Sequence, residues 1–175
     1  MSERYDTRTI VLHWTIAIII ALMWGGAHMI DWFPKGSPRV DARSVHIVLG
    51  TLLLLLVFYR IFWRLNHGIK ISDPAGPATL AAKGVHYLLY ALILTTVFLG
   101  LANTWVRGDS LFNLGNIPAF GVYSKEARHA LSESIVGWHE LGANLILILA
   151  GAHALMGLVH HYVLKDGVLK RMLRG

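Results

Sequence analysis

Four stretches of the chain contain no Asp, Glu, Lys or Arg, at residues 9–30, 44–59, 84–106 and 141–164. A helix needs roughly 20 apolar residues to cross about 30 Å of hydrocarbon. The second stretch reaches that length if Arg60 and Arg64 snorkel to the interface. Because lipid cannot satisfy open backbone groups, each span must be helical. We predict an all-α membrane protein, a four-transmembrane-helix bundle with spans near 9–30, 44–64, 84–106 and 135–163 in one domain, residues 1–175.

Composition supports lipid as the main surroundings of the chain. Hydrophobic residues make up 55% and charged residues 15%, whereas soluble domains carry about 25% charge. The net charge of +6 does not indicate nucleic acid, because the cations flank apolar stretches. The absence of cysteine excludes disulfides, iron–sulfur clusters and a covalently attached c-type haem.

The distribution of basic residues predicts the orientation. Ten Lys and Arg lie in the two tails and the second loop, against six in the first and third loops, which favours both termini in the cytoplasm. Residues 73–77, Asp-Pro-Ala-Gly-Pro, break the chain in the second loop. In the long third loop, residues 124–134 have a helical composition and are expected to lie on the outer surface.

Four of the ten histidines are candidate ligands. Histidine within a span is costly unless it is paired or liganded. His139 and His153 are 14 residues apart on the fourth span, so they share a face and are separated by about 21 Å along the axis. Depth in the membrane then predicts the axial pairs His13–His153 on the inner side and His46–His139 on the outer side, each holding a haem between helices.

Small residues follow each of these four histidines by one helical turn, which would let a flat porphyrin lie against the helix. They are Ala17, Gly50, Ala143 and Gly157. Small residues also pack helices in general.

Alternatives remain for individual histidines, each of which could instead bond a neighbouring helix. His160 shares the face of His153 and could replace it, although snorkelling is the commoner role at a helix end. His28 could rival His46, but Trp32 crowds it. His86 and His160 are candidates for a quinone site. His67 and His129 are expected in solvated loops.

Other metal centres fit the sequence less well. Zinc and di-iron sites in helical bundles usually recruit carboxylates, and Glu140 is the only acid close to a candidate ligand. Two bis-histidine haems need no anion, and iron with both axial positions filled is suited to electron transfer.

Several segments together resemble the bacterial cytochrome b561 family over essentially the whole chain. They are Leu12-His13-Trp14, Val45-His46-Ile47-Val48-Leu49-Gly50, Arg60-Ile61-Phe62-Trp63-Arg64, Gly137-Trp138-His139-Glu140, His160-His161-Tyr162 and Lys165-Asp166-Gly167-Val168-Leu169-Lys170-Arg171-Met172. The same ligand layout occurs in the di-haem cytochrome b subunits of formate dehydrogenases and nickel–iron hydrogenases.

The resemblance implies two b haems, a multi-pass location in the bacterial inner membrane, and ubiquinone as a redox partner. One family member oxidises superoxide on the periplasmic side and passes the electron to ubiquinone. The six outer-loop cations fit an anionic donor, although they could equally neutralise haem propionates or lipid head groups.

Several residues beside the ligands are candidate haem contacts. Trp14 and Trp138 adjoin ligands, although interfacial anchoring is a common role for Trp. Arg60 and Arg64 could pair with propionates or serve as ordinary positive-inside residues. Glu140 could orient a ligand or relay a proton.

Two rival functions follow from the same residues. The chain could be a cytochrome b anchor subunit that passes electrons between a partner dehydrogenase or hydrogenase and the quinone pool. It could also be a haem-free transporter of protons or metal ions that uses the histidines as relays.

Overall fold

The computed structural model describes residues 4–69, 76–121 and 123–173. Its four long helices are α1 (Thr7–Met29), α2 (Ser37–Asn66), α3 (Pro77–Arg107) and α4 (Lys125–Val159). All four are long and apolar enough to cross a membrane, which confirms the predicted fold class. Residues 73–75 of the predicted chain break lie outside the described residues, as do Lys70 and Arg174 from the count of basic residues.

Helices α2, α3 and α4 begin before the spans predicted for them, at Ser37, Pro77 and Lys125 against residues 44, 84 and 135. Residues 124–134, for which the composition predicts a helix, form the cap and first turns of α4. The Ser124 side chain accepts a hydrogen bond from the Ala127 backbone N–H at 3.2 Å and starts the helix there. Charge marks where a helix leaves the hydrocarbon, whereas caps and breakers mark where it ends.

Short elements connect and close the bundle. A 3₁₀ turn (Ile30–Trp32) follows α1, and a π-helical turn (His160–Leu164) and a 3₁₀ turn (Leu169–Met172) follow α4. Between α3 and α4, two short strands, β1 (Ser110–Leu111) and β2 (Gly115–Asn116), pair antiparallel. We call the end of the bundle that carries both termini the terminal end, and the end that carries this hairpin the loop end.

The start of α1 is tied to the end of α2 at the terminal end. The Asp6 carboxylate caps α1 by accepting bonds from the Thr9 N–H and hydroxyl at 2.9 and 2.7 Å, and it accepts one from Trp63 Nε1 at 2.9 Å. Partial burial alone would raise the pKa of Asp6, but these hydrogen bonds and one from Ile69 outweigh it and lower the pKa to about 2. The cap is therefore ionised at neutral pH.

The hairpin at the loop end docks on the first turns of α2. The buried Ser44 hydroxyl donates to the Val40 carbonyl at 2.7 Å and accepts from the Phe112 N–H at 2.8 Å. The nearly buried Asp109 carboxylate lies 3.5 Å from Arg43 and 3.3 Å from Arg107. These contacts hold the α3–α4 connection against the start of α2.

Packing in the bundle is uneven, and this unevenness positions the site. α3 packs extensively against α4, α1 against α2 and α2 against α3, whereas the contact between α1 and α4 is slight. The buried core draws on all four helices through Ile16, Leu53, Val57, Ile93, Val97 and Ile146. The seam between α1 and α4 is therefore the open side of the bundle.

Arg60 joins three helices within the core. Its side chain is only 8% exposed. Its Nε donates to the Tyr90 hydroxyl at 2.9 Å, and one terminal nitrogen donates to the Thr9 carbonyl at 2.7 Å. A buried guanidinium with hydrogen-bond partners on α1 and α3 is a structural brace for α2.

We expect Arg60→Met to lower the free energy of unfolding by about 3 kcal/mol, since it removes two hydrogen bonds from a buried charged donor. Thermal unfolding in mild detergent measures the effect. Arg64→Met on the exposed side of α2 is the control, and equal melting temperatures for the two variants would contradict a bracing role.

Candidate functional site

Two pairs of histidine rings face each other across the bundle. His13 on α1 and His153 on α4 have ring centroids 6.2 Å apart with an interplanar angle of 82°. His46 on α2 and His139 on α4 have centroids 6.1 Å apart at 69°. The structure thus brings together the same rings that membrane depth pairs in the sequence. Their role as haem ligands stays a prediction.

The spacing within each pair suits a metal between the rings. An imidazole nitrogen binds a metal at about 2 Å, so two rings on opposite sides of one ion have centroids about 6 Å apart. Both observed distances, 6.2 and 6.1 Å, have this value. Within the described ranges, no group of three or more His, Asp or Glu could hold a metal ion. Each ring pair offers two imidazole side chains.

A hydrogen bond orients the ring of His139. Its Nδ1 lies 2.8 Å from the Thr96 backbone carbonyl on α3. Only a protonated Nδ1 can donate to a carbonyl, so the Nε2 lone pair is left for a metal. Such a bond to the second ring nitrogen is the usual way in which proteins hold a metal-ligating histidine.

Gly100 on α3 provides the space for this ring. A Cβ at Gly100 would lie 2.9 Å from His139 Cε1 and 3.1 Å from its Nδ1. Gly142 on α4 approaches the Thr96 side chain in the same way, so even a methyl group there would collide with the Thr96 hydroxyl. Sequence reasoning missed both glycines and Thr96. The available signal was a glycine inside an uncharged helix, which costs about 1 kcal/mol relative to alanine and needs a packing reason.

A third histidine approaches the pair at the terminal end. The centroid of the His86 ring lies 5.1 Å from that of His153, nearer than His13 does. His86 is exposed near the start of α3. The predicted quinone candidate therefore adjoins the terminal-end pair.

The other predicted haem contacts have different surroundings. The ring centroids of Trp14 and His13 lie 5.4 Å apart, and Trp14 Nε1 donates to the Met172 carbonyl at 2.9 Å. Trp138 is 63% exposed. Arg60 is the core brace described above, and the Arg64 guanidinium lies 5.1 Å from the centre of the Tyr5 ring.

The small residues one turn after the ligands vary in their contacts. A Cβ at Gly50 would touch Met23 Cε at 3.4 Å, and one at Gly157 would touch Leu169 Cδ1 at 3.8 Å. Both are ordinary contacts with flexible side chains. Gly50 is buried, and Gly157 is partly exposed.

Four of the remaining histidines have partners away from the two pairs. Nδ1 of His160 donates to Asp166 at 2.5 Å, and Nδ1 of His28 lies 2.8 Å from the Trp24 carbonyl. His67 stacks on Trp63 with centroids 4.8 Å apart. His129 lies 3.3 Å from Glu133.

A cavity of about 650 Å³ opens at the loop end and is lined by charged residues of α3 and α4. Its lining includes Arg107, Lys125 and Arg128 together with Glu133 and Glu140. Glu140 follows His139 directly, so the cavity reaches the helical turn that carries the ligand candidate. Arg107 also pairs with the Asp109 carboxylate at 3.3 Å, as described above.

Comparison with known proteins identifies the family of the chain. The family model of prokaryotic cytochrome b561 matches residues 4–175. Cytochrome b561 homolog 1 of Escherichia coli is 33% identical, over 98% of this chain and 97% of its own length. Cytochrome b562 of Cereibacter sphaeroides is 30% identical over 97% and 95%, and the probable superoxide oxidase CybB of Yersinia pestis is 27% identical over 99% and 97%. A match to this family implies haem b binding.

We expect Gly100→Ala to displace His139 from Thr96 and to lower the haem content, because a Cβ has no room beside the ring. The haem-to-protein ratio of purified protein, from the reduced visible spectrum, measures the loss. Gly84→Ala on the same helix is the control, since nothing lies within 4 Å of a Cβ there. Full haem content in Gly100→Ala would show that the ring tolerates displacement.

Proposed function

Because the chain belongs to the prokaryotic cytochrome b561 family, we propose that it is a di-haem oxidoreductase of the bacterial inner membrane. It binds one haem b between His46 and His139 and another between His13 and His153. It takes electrons from superoxide at the loop end and delivers them to ubiquinone near the terminal end, with both termini in the cytoplasm.

The observation that carries this proposal is the arrangement of the two ring pairs. Each has the separation expected for two imidazoles on one metal ion, 6.1 and 6.2 Å. Both pairs use α4, which runs as an unbroken helix from His139 to His153. When bound, haem b supplies a one-electron iron couple, and two nitrogen ligands leave no open position for oxygen to bind.

The residues around His139 favour a fixed ligand geometry. The Thr96 carbonyl holds the proton on Nδ1, and Gly100 allows the ring to lie against α3. A ligand that is held by a backbone carbonyl needs little rearrangement when the charge on the metal changes.

Superoxide is supported as the donor by charge and by kinship. The loop-end cavity carries Lys125 and Arg128, together with Arg107, which is paired with Asp109, near the turn that holds His139. A cluster of cations attracts a small anion and raises its encounter rate. The similar Yersinia pestis protein is named a probable superoxide oxidase.

Ubiquinone is proposed as the acceptor at the terminal end. Its reduction needs two electrons and two protons, so two superoxide anions yield two molecules of oxygen and one ubiquinol. His86 adjoins the terminal-end pair, and His160 holds a proton on Nδ1 against Asp166. We assign these two histidines to quinone binding and proton delivery.

The ligand assignment predicts the haem content of variants. We expect a haem-to-protein ratio near two for the parent protein and near one for His153→Ala and for His46→Ala, because each removes one axial ligand. Visible spectra of oxidised and reduced protein in mild detergent measure this ratio.

His67→Ala is the matched control, because His67 stacks on Trp63 at the terminal end of α2 and belongs to neither ring pair. Retention of both haems in His153→Ala would instead point to His86 as the ligand at the terminal end. A colourless parent protein would favour the haem-free transporter.

The donor assignment predicts an ionic-strength dependence. We expect the second-order rate of superoxide-driven ubiquinone reduction to fall with added salt, and to fall about threefold at low salt in Arg128→Gln with unchanged haem content. Stopped-flow reduction kinetics with a superoxide source measure the rate.

Lys35→Gln is the control, because Lys35 precedes α2 at the same end and is not part of the cavity lining. Equal losses of rate in Arg128→Gln and Lys35→Gln would mean that the overall charge of the protein, and not this cavity, attracts the anion. No reduction by superoxide, with reduction by a co-purified dehydrogenase, would favour the anchor-subunit function.

A further inference from the structure

The chain after α4 folds into a tight turn at the terminal end. The π-helical turn His160–Leu164 is followed by Lys165 with a positive φ of 54° and by Gly167 with a φ of 79°. The N–H of Asp166 donates to the His160 carbonyl at 3.3 Å and folds the chain back. This turn brings together the residues of a cavity of about 310 Å³, His161, Tyr162, Lys165, Gly167 and Lys170.

The lining of this cavity is positively charged. It contains two lysines and a histidine and includes no carboxylate. The nearby acid, Asp166, is engaged elsewhere, because its two oxygens accept from His160 Nδ1 at 2.5 Å and from the Val168 N–H at 3.1 Å. The hydrogen bond from His160, and after it the one from the Val168 N–H, lowers the pKa of Asp166. The carboxyl group is therefore ionised at neutral pH.

The cavity lies where an apolar helix surface ends. The span that includes α4 ends at Leu164, one residue before Lys165. On its last turn, Tyr162 and Val163 are each 70% exposed and Leu164 is 56% exposed. Apolar side chains with this exposure at the end of a membrane span face acyl chains, and tyrosine favours the head-group level. Both lysines follow the end of this apolar span in the chain.

We propose that this cavity binds the phosphate head group of one anionic phospholipid, with Lys165 and Lys170 contacting the phosphate and the Tyr162 ring packing beside the glycerol backbone. A free phosphate ion could contact both lysines, but it has no apolar part to cover the neighbouring helix surface. The exposed apolar turn at the cavity rim favours the lipid, whose acyl chains can cover it. This inference does not depend on the proposed redox function.

The test is a lipid titration of the full chain in mild detergent, followed by native mass spectrometry. The probes are phosphatidylglycerol, phosphatidylcholine of equal chain length and inorganic phosphate. We expect one phosphatidylglycerol to bind more tightly than phosphatidylcholine. The Lys165→Gln/Lys170→Gln variant should bind phosphatidylglycerol about thirtyfold more weakly, at about fivefold per lysine.

Lys83→Gln is the control, because it removes an exposed lysine of α3 that is not part of the cavity lining and lies toward the same end. Equal phosphatidylglycerol affinity in the double variant and in Lys83→Gln would overturn the proposal. Competition by inorganic phosphate at equal concentration would overturn the lipid assignment in favour of a free-phosphate site. The selectivity of the parent protein is decisive if the double variant does not fold, since equal affinity for the two lipids would also refute the site.

Discussion

Hydrocarbon offers an imidazole ring no hydrogen-bond partner, and this constraint governs the arrangement of the bundle. His139 meets it on one side through the Thr96 carbonyl. Its other nitrogen, and the rings of His46, His13 and His153, are turned toward one another in pairs at a distance that a shared metal would bridge. Because an unpaired imidazole ring is costly in lipid, the two histidine pairs favour an arrangement in which α1 and α2 face α4 across a gap.

The gap between α4 and the helices α1 and α2 depends on how closely α4 packs against α3. Membrane helices gain little from apolar burial against one another, so close contact relies on small residues. Gly142 on α4 lies against Thr96 on α3, and Gly100 on α3 lies against the His139 ring. This tight pairing fixes α4 on one side, and the slight contact between α1 and α4 leaves its other side open for a wide, flat group. Arg60 keeps α1, α2 and α3 together without help from that open seam.

The sequence predicts the features that depend on hydrophobicity and on depth in the membrane. Uncharged runs predict four spans, and the position of a histidine along a span predicts which ring it meets, because helical rise converts residue number into depth. Sequence reasoning missed what depends on contacts between helices. The extension of α4 to Lys125 follows from the Ser124 cap, and the roles of Gly100 and Thr96 follow from the approach of α3. Arg60 looks like an interfacial cation in sequence, and only its partners Tyr90 and Thr9 reveal a buried brace.

The placement of two ligand candidates on one helix has a consequence for robustness. Because α4 is continuous between His139 and His153, the spacing of the two sites is set by helical rise, at about 21 Å. Changes in the loops cannot alter it. α1 and α2 each provide a single ring, so each site needs only one ligand candidate besides the one on α4. The two ends of the bundle can therefore differ, with a cavity lined by charged residues at one and three clustered histidines at the other, while the distance between the ring pairs stays fixed.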